Sequence, residues 1–266
     1  MRLAHVLSAL IVGLFLGGCA GPQGGISAET KASLAPTGKL RVAFLSAPIY
    51  AAKDPATGEL KGVAVDLGKA LAQRVNVPFE VVVYPTFPEL MSGARSGQWD
   101  VALMGVDPER AKVVDFSAPF MNVEQGFLLR TGATIATASA VDVAGVRVGV
   151  LEKSSLDALL SQTLKNATIV RARTLAENYA LLDAGKADAV AGTKPALFNA
   201  AASRPGTRVI DGGLPSDQIG MAVPKGRAAS APEYVGRFVE EAKATGLVKA
   251  AIERAGLRGV VVAPSR

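Results

Sequence analysis

Apolar positions along this chain recur with two different periods, and the switches between them mark its elements. Leu40 to Leu45 is a short apolar run that predicts a buried strand. Pro48, Lys53-Asp54-Pro55 and Thr57-Gly58 mark a loop after it. Leu67, Ala70, Leu71 and Val75 lie at helical spacing and predict a helix capped by Asp66. Phe79 to Tyr84 is rich in β-branched residues, hence a strand. Thr86-Phe87-Pro88-Glu89 forms a capping box with an early proline, opening a helix that runs into Gly97. Trp99 to Met104 is a further buried strand, and Asp107-Pro108 opens a short helix carrying Glu109 and Arg110. This β-α-β-α-β order predicts a parallel sheet covered by helices.

The order then restarts. Val146 to Leu151 predicts a strand, and Ser154, with Asp157 in the first turn, caps a helix. Ala167 to Ala172 is a strand, and Thr174 with Glu177 is another capping box on a helix ending at Gly185. Asp188 to Ala191 is a strand, and Pro195 opens a helix. In both halves a helix ends at glycine and an aspartate starts the next strand: Gly97-Gln98-Trp99-Asp100 and Gly185-Lys186-Ala187-Asp188. Gly105 and Thr193 therefore occupy equivalent strand ends. Open α/β sheets bind ligands at the carboxyl ends of their strands, so two such sheets facing each other would share one cleft. Common scaffold usage is the alternative for this repeated unit. Gln125 to Arg130 is expected to cross into the second unit and Ile219 to Pro224 to cross back. Helices over 232–245 and 247–255 would then pack on the first unit.

Composition narrows the chemistry. The chain has 266 residues, a formal charge of +6, an apolar fraction of 49% and few aromatics, 5%. Its basic residues are scattered, without the concentrated face or stacking rings that nucleic-acid binding needs. A mildly basic body suits a small anionic metabolite. His5 is the single histidine. It falls in an N-terminal segment with a basic Arg2, an apolar run from Val6 to Leu16, and Leu16-Gly17-Gly18-Cys19-Ala20. That segment resembles a lipoprotein signal with its lipobox, which implies removal of 1–18 and lipidation of Cys19. An ordinary signal with a chance cysteine is the alternative. The mature protein would then have no histidine, hence no Ser-His-Asp triad, no Cys-His dyad and no His-ligated metal. No cofactor or metal is expected. Cys19 is the sole cysteine, so no internal disulfide can form. Gly21 to Pro36 is small, polar and marked by glycine and proline, and reads as a flexible tether.

Two candidate anion-binding features stand out. Arg110 lies in the first turn of its predicted helix, where a cation meets the positive end of the macrodipole; an anionic partner would explain the placement. A solvated helix arginine is the alternative. Ser154 and Ser155 open a helix whose free N–H groups can receive an anion, or simply cap it.

Several stretches, in register over 38–256, resemble the family 3 extracellular solute-binding proteins, the polar-amino-acid receptors of ABC importers. They are Gly38-Lys39-Leu40-Arg41-Val42, Gly58-Glu59-Leu60-Lys61-Gly62-Val63, Ser96-Gly97-Gln98-Trp99-Asp100-Val101 and Val146-Arg147-Val148-Gly149-Val150. The most specific is the block from Pro108-Glu109-Arg110 to Asp115-Phe116-Ser117-Ala118-Pro119-Phe120. The resemblance implies an α/β, two-lobed periplasmic-binding-protein fold (type II) with a hinge between lobes. The expected division is 1–18 signal peptide, 19–37 lipidated flexible tether, 38–129 lobe 1, 130–219 lobe 2, and 220–266 returning to lobe 1.

The resemblance also assigns roles. Arg110 would clamp a ligand carboxylate, assisted by the turn at Ser154 and Ser155. Phe87 would supply a ring over the ligand, core packing being the alternative, and Tyr50 a second ring. Two positions depart from the family pattern. Thr193 stands where an aspartate holds the ligand's amino group, and Gly105 where a hydroxyl residue helps. Losing such a partner costs roughly 30-fold to several-thousand-fold in affinity. Ordinary amino acids are therefore expected to bind weakly, and a carboxylate without a free α-amino group to fit better.

The expected function is a non-enzymatic, monomeric receptor, anchored to the membrane at the periplasm or cell surface. It would deliver its ligand to an ABC-transporter permease in the inner membrane. The alternatives are a partner-docking protein without a small ligand and a lyase like cyclohexadienyl dehydratase. The lyase lacks an acid at Thr193, and Lys194 beside Pro195 suits the surface better.

Overall fold

A computed structural model describes residues 26–211 and 213–266. The expected signal segment, Cys19 and residues 19–25 of the expected tether lie outside them. The remainder of that tether is not extended. Ser27 caps α1 (Ala28–Leu34), its Oγ accepting from the Thr30 amide at 3.1 Å. Leu34 is wholly buried, Thr30 donates to Ser230 Oγ at 2.9 Å, and Arg227 donates to the Ser33 carbonyl at 2.6 Å. A short segment with one large apolar residue shows little periodicity, so this helix is specified by its dock.

The first unit follows as β1 (Leu40–Leu45), a small hairpin β2 (Ala52–Lys53) and β3 (Leu60–Lys61), α2 (Val63–Arg74), β4 (Phe79–Tyr84), α3 (Phe87–Arg95) and β5 (Val101–Gly105). Two short strands, β6 (Val114–Phe116) and β7 (Met121–Val123), lead to β8 (Gln125–Arg130). The second unit is β9 (Arg147–Leu151), α4 (Ser155–Thr163), β10 (Thr168–Ala172), α5 (Leu175–Asp183), β11 (Ala189–Thr193), α6 (Lys194–Ala202) and β12 (Thr207–Asp211). The chain closes with β13 (Asp217–Pro224), α7 (Ser230–Ala244), α8 (Leu247–Arg254) and β14 (Val260–Val262).

Two sheets result. One has the order β14-β7-β13-β5-β1-β4, with β6 also on β13; the other is β10-β9-β11-β8-β12. β1 pairs in parallel with β4 and β5, and β9 with β10 and β11, as expected of two βαβ units. Each crossing segment then inserts antiparallel beside the third strand of the lobe it enters. β8 pairs with β11 and β12, and β13 pairs with β5 and β7. The sheet therefore changes between β7 and β8 and again between β12 and β13, so the divisions expected after 129 and 219 fall inside strands.

Burial on both faces explains the continuous apolar runs. In lobe 2, Phe127, Leu129, Ala189 and Ala191 face one core, while Leu128 and Val190 face another on the opposite side of the sheet. Lobe 1 builds one larger core around Phe44, Trp99 and Phe120, each almost wholly buried. The Trp99 indole N–H is satisfied by the Leu90 carbonyl at 2.8 Å.

The repeated aspartates have a common job. Asp100 accepts from the Arg41 amide, Nε and Nη2 at 3.0, 2.9 and 2.8 Å. Asp188 accepts the same three bonds from Arg147 at 2.8, 3.0 and 2.8 Å. Each pair ties the start of one parallel strand to the start of its neighbour.

Two local expectations change. Asp66 does not cap α2: the helix starts at Val63, and Asp66 pairs with Arg254 at 2.7 Å. The entry is set by Gly62, whose φ of 148° and missing side chain let the backbone pass the Tyr50 carbonyl; a Cβ there would lie 2.6 Å from that oxygen. The helix expected at Arg110 is a single tight turn, Arg110–Lys112. It is too short for an appreciable macrodipole, so a different force holds Arg110.

Candidate functional site

The carboxyl ends of β1, β9 and β11 converge on a narrow cleft between the lobes. Its walls are mostly small or aliphatic, including Ala47, Ile49, Val150, Leu151 and Ala196. Leu151 and Leu175, from lobe 2, pack into the core of lobe 1, so apolar contact helps hold the lobes together.

Arg110 is 5% exposed and spans the lobes. Asp107 Oδ1 accepts from the amides of Glu109 and Arg110 at 2.9 and 3.0 Å, which fixes the turn that aims the side chain inward. Its Nη1 donates to the Gly105 carbonyl and its Nη2 to the Lys153 carbonyl of lobe 2, both at 2.9 Å. The guanidinium lies over the Phe87 ring, 3.9 Å from the centroid. Burial pushes its pKa down, opposed by nearby Tyr50, Asp107 and Asp217; a guanidinium nevertheless stays charged. Lys153, with a left-handed φ of 60°, turns its carbonyl toward Arg110.

Phe87 forms part of both this cleft and a neighbouring, more open one, and Arg110 lines only the latter. Ser154 caps α4, its Oγ accepting from the Asp157 amide at 3.0 Å. Ser155 Oγ instead crosses the lobes to donate to Asp217 Oδ1 at 2.8 Å. Tyr50 is buried, and burial followed by the nearby Asp217 charge raises its pKa. Thr193 ends β11 and lines the cleft without making a side-chain cap bond. Gly105 ends β5; a Cβ there would lie 3.0 Å from Asp217 Oδ1 and 3.3 Å from Arg110 Nη1. Arg110, Phe87, Tyr50, Gly105, Ser154, Ser155 and Thr193 are thus gathered around one interlobe region, while Cys19 lies outside the described residues.

Three groups were not foreseen. Asp217 opens β13 and lines the cleft. Protein encloses its carboxylate on most sides and the remaining access is to the cleft, so burial raises its pKa while Ser155 and Arg110 pull it down. Gln125 also lines the cleft and donates to the Pro215 carbonyl at 2.7 Å, tying the two crossing segments together. The third is the Lys153 carbonyl. Asp217 and Gln125 stand at the mouths of apolar strands that pattern alone identifies as connectors, and a backbone carbonyl leaves no mark on sequence. Asp217 thus brings an acidic group to the cleft from β13, a different strand from that of Thr193.

Two α/β lobes, crossed twice by the chain and sharing one cleft at their strand ends, define a solute-binding protein of the two-lobed class. The chain belongs to the bacterial extracellular solute-binding proteins, family 3, whose family model matches residues 40–255. It is 25% identical over 191 residues to the ABC transporter glutamine-binding protein GlnH of Bacillus subtilis (strain 168), covering 70% of this chain and 69% of that protein. A mutant of ArgBP from T. maritima has a similar structure, with a TM-score of 0.73, 27% identity, and coverage of 85% of this chain and 99% of that one. The ancestral amino acid-binding protein AncCDT-1, a precursor of cyclohexadienyl dehydratase, has a TM-score of 0.71 and 26% identity over 85% of this chain and 99% of that one.

Proposed function

We propose that this protein is the receptor of an ABC-type importer, capturing a small carboxylate-bearing, amino-acid-like metabolite between its lobes. The observation that carries this reading is Arg110, a buried cation from lobe 1 whose Nη2 is held by a backbone carbonyl of lobe 2. Lobe opening separates Arg110 from Lys153 and frees that donor. A ligand carboxylate then takes the direction of the Lys153 oxygen, and reclosure seals it against Phe87 and the turn at Ser154 and Ser155. The closed form is what a permease would recognise. Signal removal at 1–18, anchoring through Cys19 and a monomeric receptor at the periplasm or cell surface complete the proposal. The importer role is supported by the family and by the transport proteins it resembles.

Thermal unfolding against a metabolite panel tests it. A ligand at 100 times its Kd adds ~2.7 kcal/mol, a rise of about 5–10 °C for a chain of this size. An amino-acid-like carboxylate should give that shift, and Arg110→Ala should abolish it. No shift from any member would favour the partner-docking alternative.

A further inference from the structure

Asp217 is a carboxylate in search of a cation. Half-buried at the cleft wall, it makes no ion pair within 4.0 Å among the described residues, because Arg110 is spent on two backbone carbonyls. One oxygen accepts from Ser155 and the other has no hydrogen-bond partner among the described residues. A charge so placed is costly unless something completes it. Among the described residues no lysine or arginine lines this cleft, and Asp217 is its one charged group.

The surroundings favour an ammonium. Thr193 and Gln125 are direct partners on β11 and β8, and Gln125 is bonded to Pro215, just before Asp217. Thr193 Oγ1 and Gln125 Oε1 have no hydrogen-bond partner among the described residues, and both residues line the cleft. Three acceptors suit the three donors of a primary ammonium. Gly105 is part of the same construction: any side chain there would crowd the space between Asp217 and Arg110.

We propose that Asp217, with Gln125 and Thr193, is the amino-group site of this cleft, and that the ligand is an α-amino acid with a compact apolar side chain. This rests on the reading of Arg110 as the carboxylate clamp. It reverses the expectation that a free amino group is unwelcome: the acid has moved from lobe 2 to the returning strand.

The test is calorimetric titration of the purified chain with L-valine, isovalerate, which lacks the amino group, and isobutylamine, which lacks the carboxylate. L-Valine should bind at least about 30-fold more tightly than either analogue. Asp217→Asn should lower L-valine affinity by a similar factor and leave isovalerate binding no weaker. Its melting temperature without ligand should hold or rise, because a partly buried charge that lacks an ion-pair partner has been removed. A latch with no ligand role would instead melt lower and keep its L-valine affinity, which overturns the proposal. If isovalerate binds as tightly as L-valine and Arg110→Ala abolishes both, the amino-group site is wrong and the carboxylate clamp stands. If none of the three binds the unmodified chain, the compact apolar amino acid is the wrong class.

Discussion

The two lobes use the same clasp and weight it differently. In each, an arginine at the start of a central strand gives three hydrogen bonds to an aspartate before the third strand. In lobe 1 the Asp100 side chain is 0% exposed and takes a further bond from Arg227 at 3.0 Å. In lobe 2 the Arg147 and Asp188 side chains are 41% and 37% exposed. Local geometry is therefore identical while environment is not. Lobe 1 is covered by the returning chain, whose Arg227 also grips α1, and lobe 2 has no such cover over its clasp. One spacing rule thus builds a core element in one lobe and a surface element in the other.

The largest expected effect that tests this contrast is Asp100→Asn. It leaves Arg41 and Arg227 facing each other without their shared anion, and should cost about 3–5 kcal/mol. In a thermal scan that is a fall of about 6–20 °C. A loss no greater than that of the lobe 2 variant would break the comparison. Asp188→Asn is the smaller counterpart: solvent screening limits it to about 0–1 kcal/mol, and about 1 M salt should erase the difference from the unmodified chain. The Asp100 effect should survive that salt.

The smallest effects are in pH. The hydrogen bonds from Arg147 hold Asp188 below the usual carboxylate range. Its contribution is therefore present above the unfolded value of about 3.9 and disappears as pH falls through the lower folded value. The stability gap between Asp188→Asn and the unmodified chain should close in that window. Asp217 has the opposite sign, since burial raises its pKa. Its charge penalises folding above that raised value, and acidification relieves the penalty. L-Valine affinity should weaken over the same window as the carboxylate is protonated, whereas Asp217→Asn should show no such dependence.

Much of the scaffold was legible beforehand because it is written in local chemistry. The caps at Thr86, Ser154 and Thr174 act within one helical turn, each side chain accepting from an amide three residues on. Apolar runs buried on both faces named the central strands. The short pieces β6, β7 and β14 were not legible, because three residues carry too little periodicity to rise above their loops. The cleft was legible in part. Arg110 and the turn at Ser154 stood out, but the reason offered for Arg110, a helix dipole, gives way to two carbonyls and an aromatic face.

The sequence by itself determined two parallel α/β units, their repeated helix-glycine-aspartate joints, and the strand ends at Gly105 and Thr193. These follow from period, capping and turn residues, which act over a few positions. Only the tertiary structure decided which groups meet across the lobes. Arg110 reaches Lys153, and Ser155 reaches Asp217, because antiparallel insertion of β8 and β13 brings distant segments to one cleft. Whether Asp217 has a partner depends on where Arg110 spends its donors. That is set by the packing of both lobes together, over distances at which sequence pattern carries no signal.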